Sequence, residues 1–256
     1  MKVALCLSGF ARTMQYSYPY LEKYLLNHLQ PDIFFFGYTD NDNGVTEDSI
    51  IDTYSPVKYC CREFTEAVEE EIWDSYGSRD VINTQLHPSS SPIYMLSQWY
   101  NIFKSNELKC KQEQEKGFIY DIVVRARTDY YFFRKLEDYE LNLANSKMTV
   151  CTPDVWDFKI VNPHAVTDFF AFGDSNSMNI YSNLFNRAAE YNLKHKFIFH
   201  PESMTGYNLH VENVNREVVK NNFWLELDDF WKNPDEDVTH CYIEGLTTSP
   251  TRKNFK

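Results

Sequence analysis

The residues best equipped for chemistry lie in one stretch, Asp121 to Phe133, which reads Asp-Ile-Val-Val-Arg-Ala-Arg-Thr-Asp-Tyr-Tyr-Phe-Phe. Arg125, Arg127 and Asp129 fall at alternate positions behind a β-branched apolar run, Ile122 to Val124. Alternate residues of a strand leave the same face, so these side chains are predicted to share one. Guanidinium and carboxylate groups are costly to bury unless paired. At the end of a buried strand they could hold a diphosphate. Each Arg can fork onto phosphate oxygens, and Asp129 can bind a divalent ion or a ribose. The other reading of the same residues is an internal Arg–Asp salt bridge that closes the strand.

Further candidates are spread along the chain. Ser8-Gly9-Phe10-Ala11-Arg12 follows the first apolar run. It lacks both the GxGxxG dinucleotide fingerprint and the GKS/T phosphate loop, which argues against a dehydrogenase and a P-loop enzyme. Gly9 permits close backbone approach. Arg12 falls at a predicted helix start, where a cation opposes the helix dipole; an anionic ligand there or a plain surface Arg would both account for it. Asp168 and Asp174 bracket an aromatic segment, and Asp174 reads best as a strand end. Glu202, after Pro201, suits a first helical turn and is also a candidate general base. The histidines show no HxH or HExxH pairing, and no GxSxG elbow is present, so a zinc hydrolase and a serine hydrolase have little support.

The elements that must position these groups follow from periodicity. Residues 2–7 read as a first strand, residues 15–29 as a helix and residues 32–38 as a second buried strand, which is the opening of a parallel sheet. In such sheets ligands bind at the carboxyl ends of the strands, which puts Ser8, Gly9, Arg12, Thr39 and Asp40 on one rim. A helix is predicted over 63–76, with an acidic solvated face, and a longer one over 93–115, with Met95, Trp99, Ile102, Phe103 and Leu108 on one stripe. Gly117 ends it. Strands follow at 147–152 and 168–174. A helix over 175–191 takes Ser175 as its N-cap, a short strand covers 197–199, and another helix starts at Pro201. Residues 39–60 read as a loop and a short strand, and 211–219 carry no strong signal. The expected architecture is a three-layer α/β sandwich whose mostly parallel central sheet contains 2–7, 32–37 and 120–127.

Composition narrows the partners. With 256 residues, 43% apolar, and 19 Phe, 18 Tyr and 5 Trp, the chain can bury a substantial core. A net charge of −12 leaves no basic stripe for nucleic acid and no general attraction to anionic membranes. No apolar run approaches the length of a membrane span. The cysteines lack zinc-type spacing and read as reduced thiols of a cytoplasmic protein.

Several short motifs occur in a telling order. A strand ends in Ser8-Gly9-x-x-Arg12. A helix carries Gln98-Trp99-Tyr100. The strand Val-Val-Arg-Ala-Arg-Thr-Asp129 follows, then Asp168-Phe-Phe-Ala-Phe-Gly173, a helix with Met178 and Tyr181, and Pro201-Glu202. Over roughly residues 1–230 this resembles small GT-A-like glycosyltransferases of bacterial surface-polysaccharide clusters and large DNA viruses. The resemblance implies a Rossmann-like GT-A domain over 1–232, an irregular tail over 233–256, and transfer of a sugar from a nucleoside-diphosphate sugar to a glycan or other hydroxyl acceptor in polysaccharide biosynthesis. The alternative is a non-catalytic nucleotide- or sugar-binding α/β protein derived from such a fold.

In that family an Asp-x-Asp motif usually holds a divalent metal, manganese or magnesium, on the donor diphosphate. The matching place here reads Arg127-Thr128-Asp129, so Asp129 carries over as the metal ligand while Arg127 departs from the pattern and could itself offset diphosphate charge. The donor would then be met by Ser8, Gly9, Arg12, Arg125, Arg127 and Asp129. Asp168 and Glu202 compete as the catalytic base, with Asp168 preferred.

Overall fold

The computed structural model describes residues 1–11, 13–41, 44–84, 91–153 and 165–219. Arg12, residues 154–164 and the predicted tail lie outside them. The molecule is an α/β sandwich around a seven-stranded sheet. Its strands are β1 (Val3–Phe10), β2 (Asp32–Tyr38), β3 (Lys58–Arg62), β4 (Ile122–Arg127), β5 (Thr149–Pro153), β6 (Phe170–Gly173) and β7 (Asn215–Val219). Their spatial order is β3-β2-β1-β4-β6-β5-β7. The sheet is mostly parallel, as expected. Val3 lies beside Ile122, and Ala4 beside Asp32. Only β6 runs against its neighbours β4 and β5.

The strands read as near-continuous apolar runs because both faces are covered. On one face, Val3, Leu5, Leu7, Ile33, Phe35, Ile122 and Val124 pack in a single core. They meet α1 (Met14–Leu21), α3 (Glu47–Tyr54) and α6 (Asp138–Ala144) through Met14, Leu21, Ile50, Tyr54, Leu141 and Ala144. After α1 the chain continues through a wider π turn over Glu22–Leu26 and a last turn, α2 (Asn27–Leu29). On the other face, Ala4, Cys6, Phe34, Val123 and Ala171 meet α5 (Pro92–Lys116), α7 (Ser175–Ser182) and α9 (Pro201–Val211). A further cluster on that side joins α4 (Glu66–Tyr76) and α8 (Leu184–Ala189) to α5.

Several boundaries differ from the sequence reading. β1 runs through Ser8 and Gly9 to Phe10, which had read as a loop, because Gly9 and Gly37 pair side by side. Gly9 has φ +110, and a Cβ on Gly37 would stand 2.0 Å from the Gly9 carbonyl oxygen. The close approach is therefore permitted by Gly37, whereas a Cβ on Gly9 would meet nothing within 4 Å and Gly9 is called for by its positive φ. α3 was read as loop. It is set by its own cap, since the Thr46 hydroxyl accepts from the Ser49 N–H and the Ser49 hydroxyl from the Thr46 N–H.

The cap of α7 is Asp174, not Ser175: its Oδ1 accepts from the Ser177 N–H at 2.7 Å. β6 ends one residue earlier, at Gly173, so Asp174 caps a helix where it had read as the strand end. The helix predicted over 175–191 breaks at Asn183 between α7 and α8. Residues 215–219 form β7, a parallel edge beside β5. Among the described residues no helix is long and apolar enough to cross a membrane, and Cys6, Cys60, Cys61, Cys110 and Cys151 are free thiols.

Candidate active site

The reversed direction of β6 builds the site. β4 ends at Arg127 where β6 begins, with Ala126 beside Phe170 and the Arg127 N–H donating to the Phe169 carbonyl at 3.1 Å. This antiparallel join brings Asp168, 41 residues further along the chain, to the carboxyl end of β4. The Val166 N–H donates to the Glu202 carbonyl at 3.1 Å, which ties the same segment to the first turn of α9. Arg125, Arg127, Asp129, Asp168 and Glu202 are brought to one region in this way, and electrostatic coupling of Arg127 to the last three carboxyls reflects it.

Arg125 and Arg127 leave the face that β1 gives to Cys6 and Ser8, their register partners. Asp129 lies beyond the strand. Its carboxylate turns back onto Arg127, Oδ1 accepting from Nε at 2.7 Å and Oδ2 from Nη2 at 2.5 Å. This is the strand-closing salt bridge that was the other reading of the motif. The turn between them is anchored. Thr128 is buried, its hydroxyl donates to the Phe10 carbonyl at 2.5 Å, and its own carbonyl accepts from the Ser17 hydroxyl at 2.5 Å. The Asp129 carboxylate pushes the Arg127 guanidinium further above its ordinary value.

Arg125 is only 1% exposed. Its Nη1 donates to the Asp168 carbonyl, while Nε and Nη2 have no hydrogen-bond partner. Burial pulls this guanidinium below its ordinary value. As placed, Arg125 supports the segment carrying Asp168 from inside.

Asp168 is 2% exposed. Its Oδ2 accepts from the Gln98 amide of α5, and its Oδ1 has no partner. Glu202, 4% exposed, has Oε2 3.5 Å from His200 Nε2 and no hydrogen bond on that oxygen. Burial, reinforced by the Asp168 charge, pushes the Glu202 carboxyl up to about 8. Burial also pulls His200 down, so the imidazole is neutral at pH 7. Its Nδ1 lies 3.1 Å from the Ser203 hydroxyl. The buried Ser8 hydroxyl is likewise unpartnered. Buried polar atoms normally find partners, and one left without costs about 1–3 kcal/mol. A cluster of them, with charges of both signs, is an arrangement that a polar ligand can satisfy.

No protein-family model matches the chain, and no curated protein matches it. Among solved structures it is similar to mouse xyloside xylosyltransferase 1 in its apo form, at a TM-score of 0.45 and 9% identity over 91% of each chain. A likeness of that degree carries no chemistry, which must be read from the side chains.

In the structure the Asp129 carboxylate is paired within the protein. Both of its oxygens hold Arg127, and among the described residues no three His, Cys, Asp or Glu side chains gather around one point. Two contributors had no role assigned from sequence: Gln98 and His200. Gln98 carried a usable signal, since it is a polar residue between Met95 and Ile102 on the apolar stripe of α5. His200 carried none, and only folding shows that it faces Glu202. An open groove of about 400 Å³, lined by Asn106, Cys110, Asn179 and Arg187 among others, shares no residue with this cluster.

Proposed function

We propose that this protein is a glycosyltransferase that moves a sugar from a nucleoside-diphosphate sugar to a hydroxyl acceptor. The observation that carries the reading is the convergence of Arg127, Asp129, Asp168 and Glu202 where β4 ends and β6 begins. The order of motifs along the chain supports it. Sugar transfer builds positive charge at the anomeric carbon and negative charge on the departing diphosphate. Arg127 stabilises the second. For an inverting transfer a carboxylate must take the acceptor proton. Asp168 suits this better than Glu202, because burial and the neighbouring Asp168 charge raise the Glu202 carboxyl and favour its protonated form. Gln98 fixes one oxygen of Asp168 and leaves the other toward the acceptor. The burial of Asp168 sets a condition: the side chains over it must part for the acceptor hydroxyl to reach it, and water is then excluded, which protects the donor from hydrolysis.

The test is a panel of UDP-, GDP- and dTDP-sugars, scored for binding by calorimetry and for nucleoside diphosphate release. One donor is expected to bind and turn over. Asp168→Asn should keep donor binding and lower turnover roughly 100-fold or more, the usual scale of general-base loss. A folded protein that binds no member of the panel overturns the reading. An Asp168→Asn variant as active as the parent removes Asp168 from the mechanism.

A further inference from the structure

We propose that Arg127 itself meets the ligand's diphosphate, where a metal-dependent transferase would place a divalent ion, and that Asp129 is the positioning residue holding it there. The identity of the ligand rests on the transferase reading; the anion site does not.

A guanidinium has five N–H donors. Asp129 takes the Nε–H and one Nη2–H, at 2.7 and 2.5 Å, along one edge. The three remaining N–H groups, one on Nη2 and two on Nη1, lie along the other edges. They can fork onto phosphate oxygens in the bidentate manner that Lys cannot copy. The guanidinium also lies over the Phe169 ring, 5.3 Å from its centroid. Its side chain is 34% exposed, against 1% for the whole of Arg125, so Arg127 is the arginine of the strand that a ligand can reach.

The clamp is built into the fold. Thr128, between the paired residues, is pinned to the end of β1 and the first turn of α1. Holding the side chain beforehand lowers the entropy lost on binding. A metal on the remaining lone pairs of Asp129 would sit beside the Arg127 guanidinium, which repels it. Metal and clamp are therefore alternatives at this carboxylate, and the structure has the clamp.

The probe is inorganic pyrophosphate, titrated into the full chain by calorimetry, once in excess EDTA and once with manganese. Equal binding in both is expected. Arg127→Met should weaken it roughly 100-fold, the loss of two or so charge-assisted hydrogen bonds, and Arg127→Lys should recover little of that. Asp129→Asn should weaken pyrophosphate about tenfold through the loosened clamp, at an unchanged unfolding midpoint, with partial rescue by Asp129→Glu. Binding seen only with manganese and lost in Asp129→Asn overturns the proposal, as does no binding in either buffer. Metal-independent pyrophosphate binding by a chain that turns over no nucleotide sugar upholds the anion site and defeats the transferase reading.

Discussion

Glu202 is where a single residue's environment makes a quantitative claim. Its carboxyl is raised from 4.5 to about 8 by burial and by Asp168. The folded state therefore holds a proton that the unfolded chain releases near its ordinary value, so stability falls as pH rises from about 4.5 and the loss is complete above about 8. Glu202→Gln copies the protonated form. Its unfolding midpoint should match the parent near pH 4, exceed it increasingly through neutrality, and hold a constant lead above about pH 8. Thermal melts of both proteins across that range decide it; parallel curves would show that Glu202 is ionised in the fold. The same proton bears on function. An anionic ligand near Glu202 should bind less well as pH rises through about 8, and Glu202→Gln should flatten that profile.

At the scale of elements, part of the site was legible and part was not. The alternation of Arg125, Arg127 and Asp129 left two readings open, and the Arg–Asp pairing is the one found between the last two. The alternation did not show that β4 stops at Arg127 and that a buried Thr128 turns Asp129 back. The parallel strands β1, β2 and β4 were visible as β-branched and aromatic runs, because burial on both faces removes any need for polar residues. α3 and β7 were not, since one depends on a local cap and the other on an edge pairing with β5. The Gly9–Gly37 pair was half legible: Gly9 was evident, but Gly37, whose missing side chain permits the approach, was not. This pairing predicts a severe effect. Gly37→Ala puts a methyl 2.0 Å from a backbone oxygen that has no side chain to swing away. The cost should exceed the ~1–3 kcal/mol typical of overpacking, read as a lower denaturant midpoint at unchanged slope. An alanine variant as stable as the parent would mean that β1 and β2 are not in this register.

At the scale of the molecule, α5 joins the site to the body of the fold. Its N-terminal half carries Gln98 to Asp168, and its C-terminal half carries Lys109 to α7. Lys109 is fully buried. Its ammonium donates to Glu113 at 3.0 Å, Ser175 at 2.6 Å and Asn179 at 2.8 Å, which uses all three of its N–H groups. Glu113 in turn accepts from the Ser175 hydroxyl and the Tyr120 N–H, so one network fastens α5, α7 and the start of β4. Replacing one member of such a buried pair leaves the other charge uncompensated, at a cost of about 3–5 kcal/mol, whereas replacing both can be nearly neutral. Lys109→Met should therefore lower the unfolding free energy by that amount, and adding Glu113→Gln should return much of it. Gln98 is 11 positions away on the same helix, about 16 Å at 1.5 Å per residue. Lys109→Met that remains folded should accordingly keep its pyrophosphate affinity while losing stability. If affinity falls in step with stability in the single variant and returns with the second substitution, the packing of α5 against α7 governs the site itself, and the distance along α5 does not insulate Gln98 from Lys109.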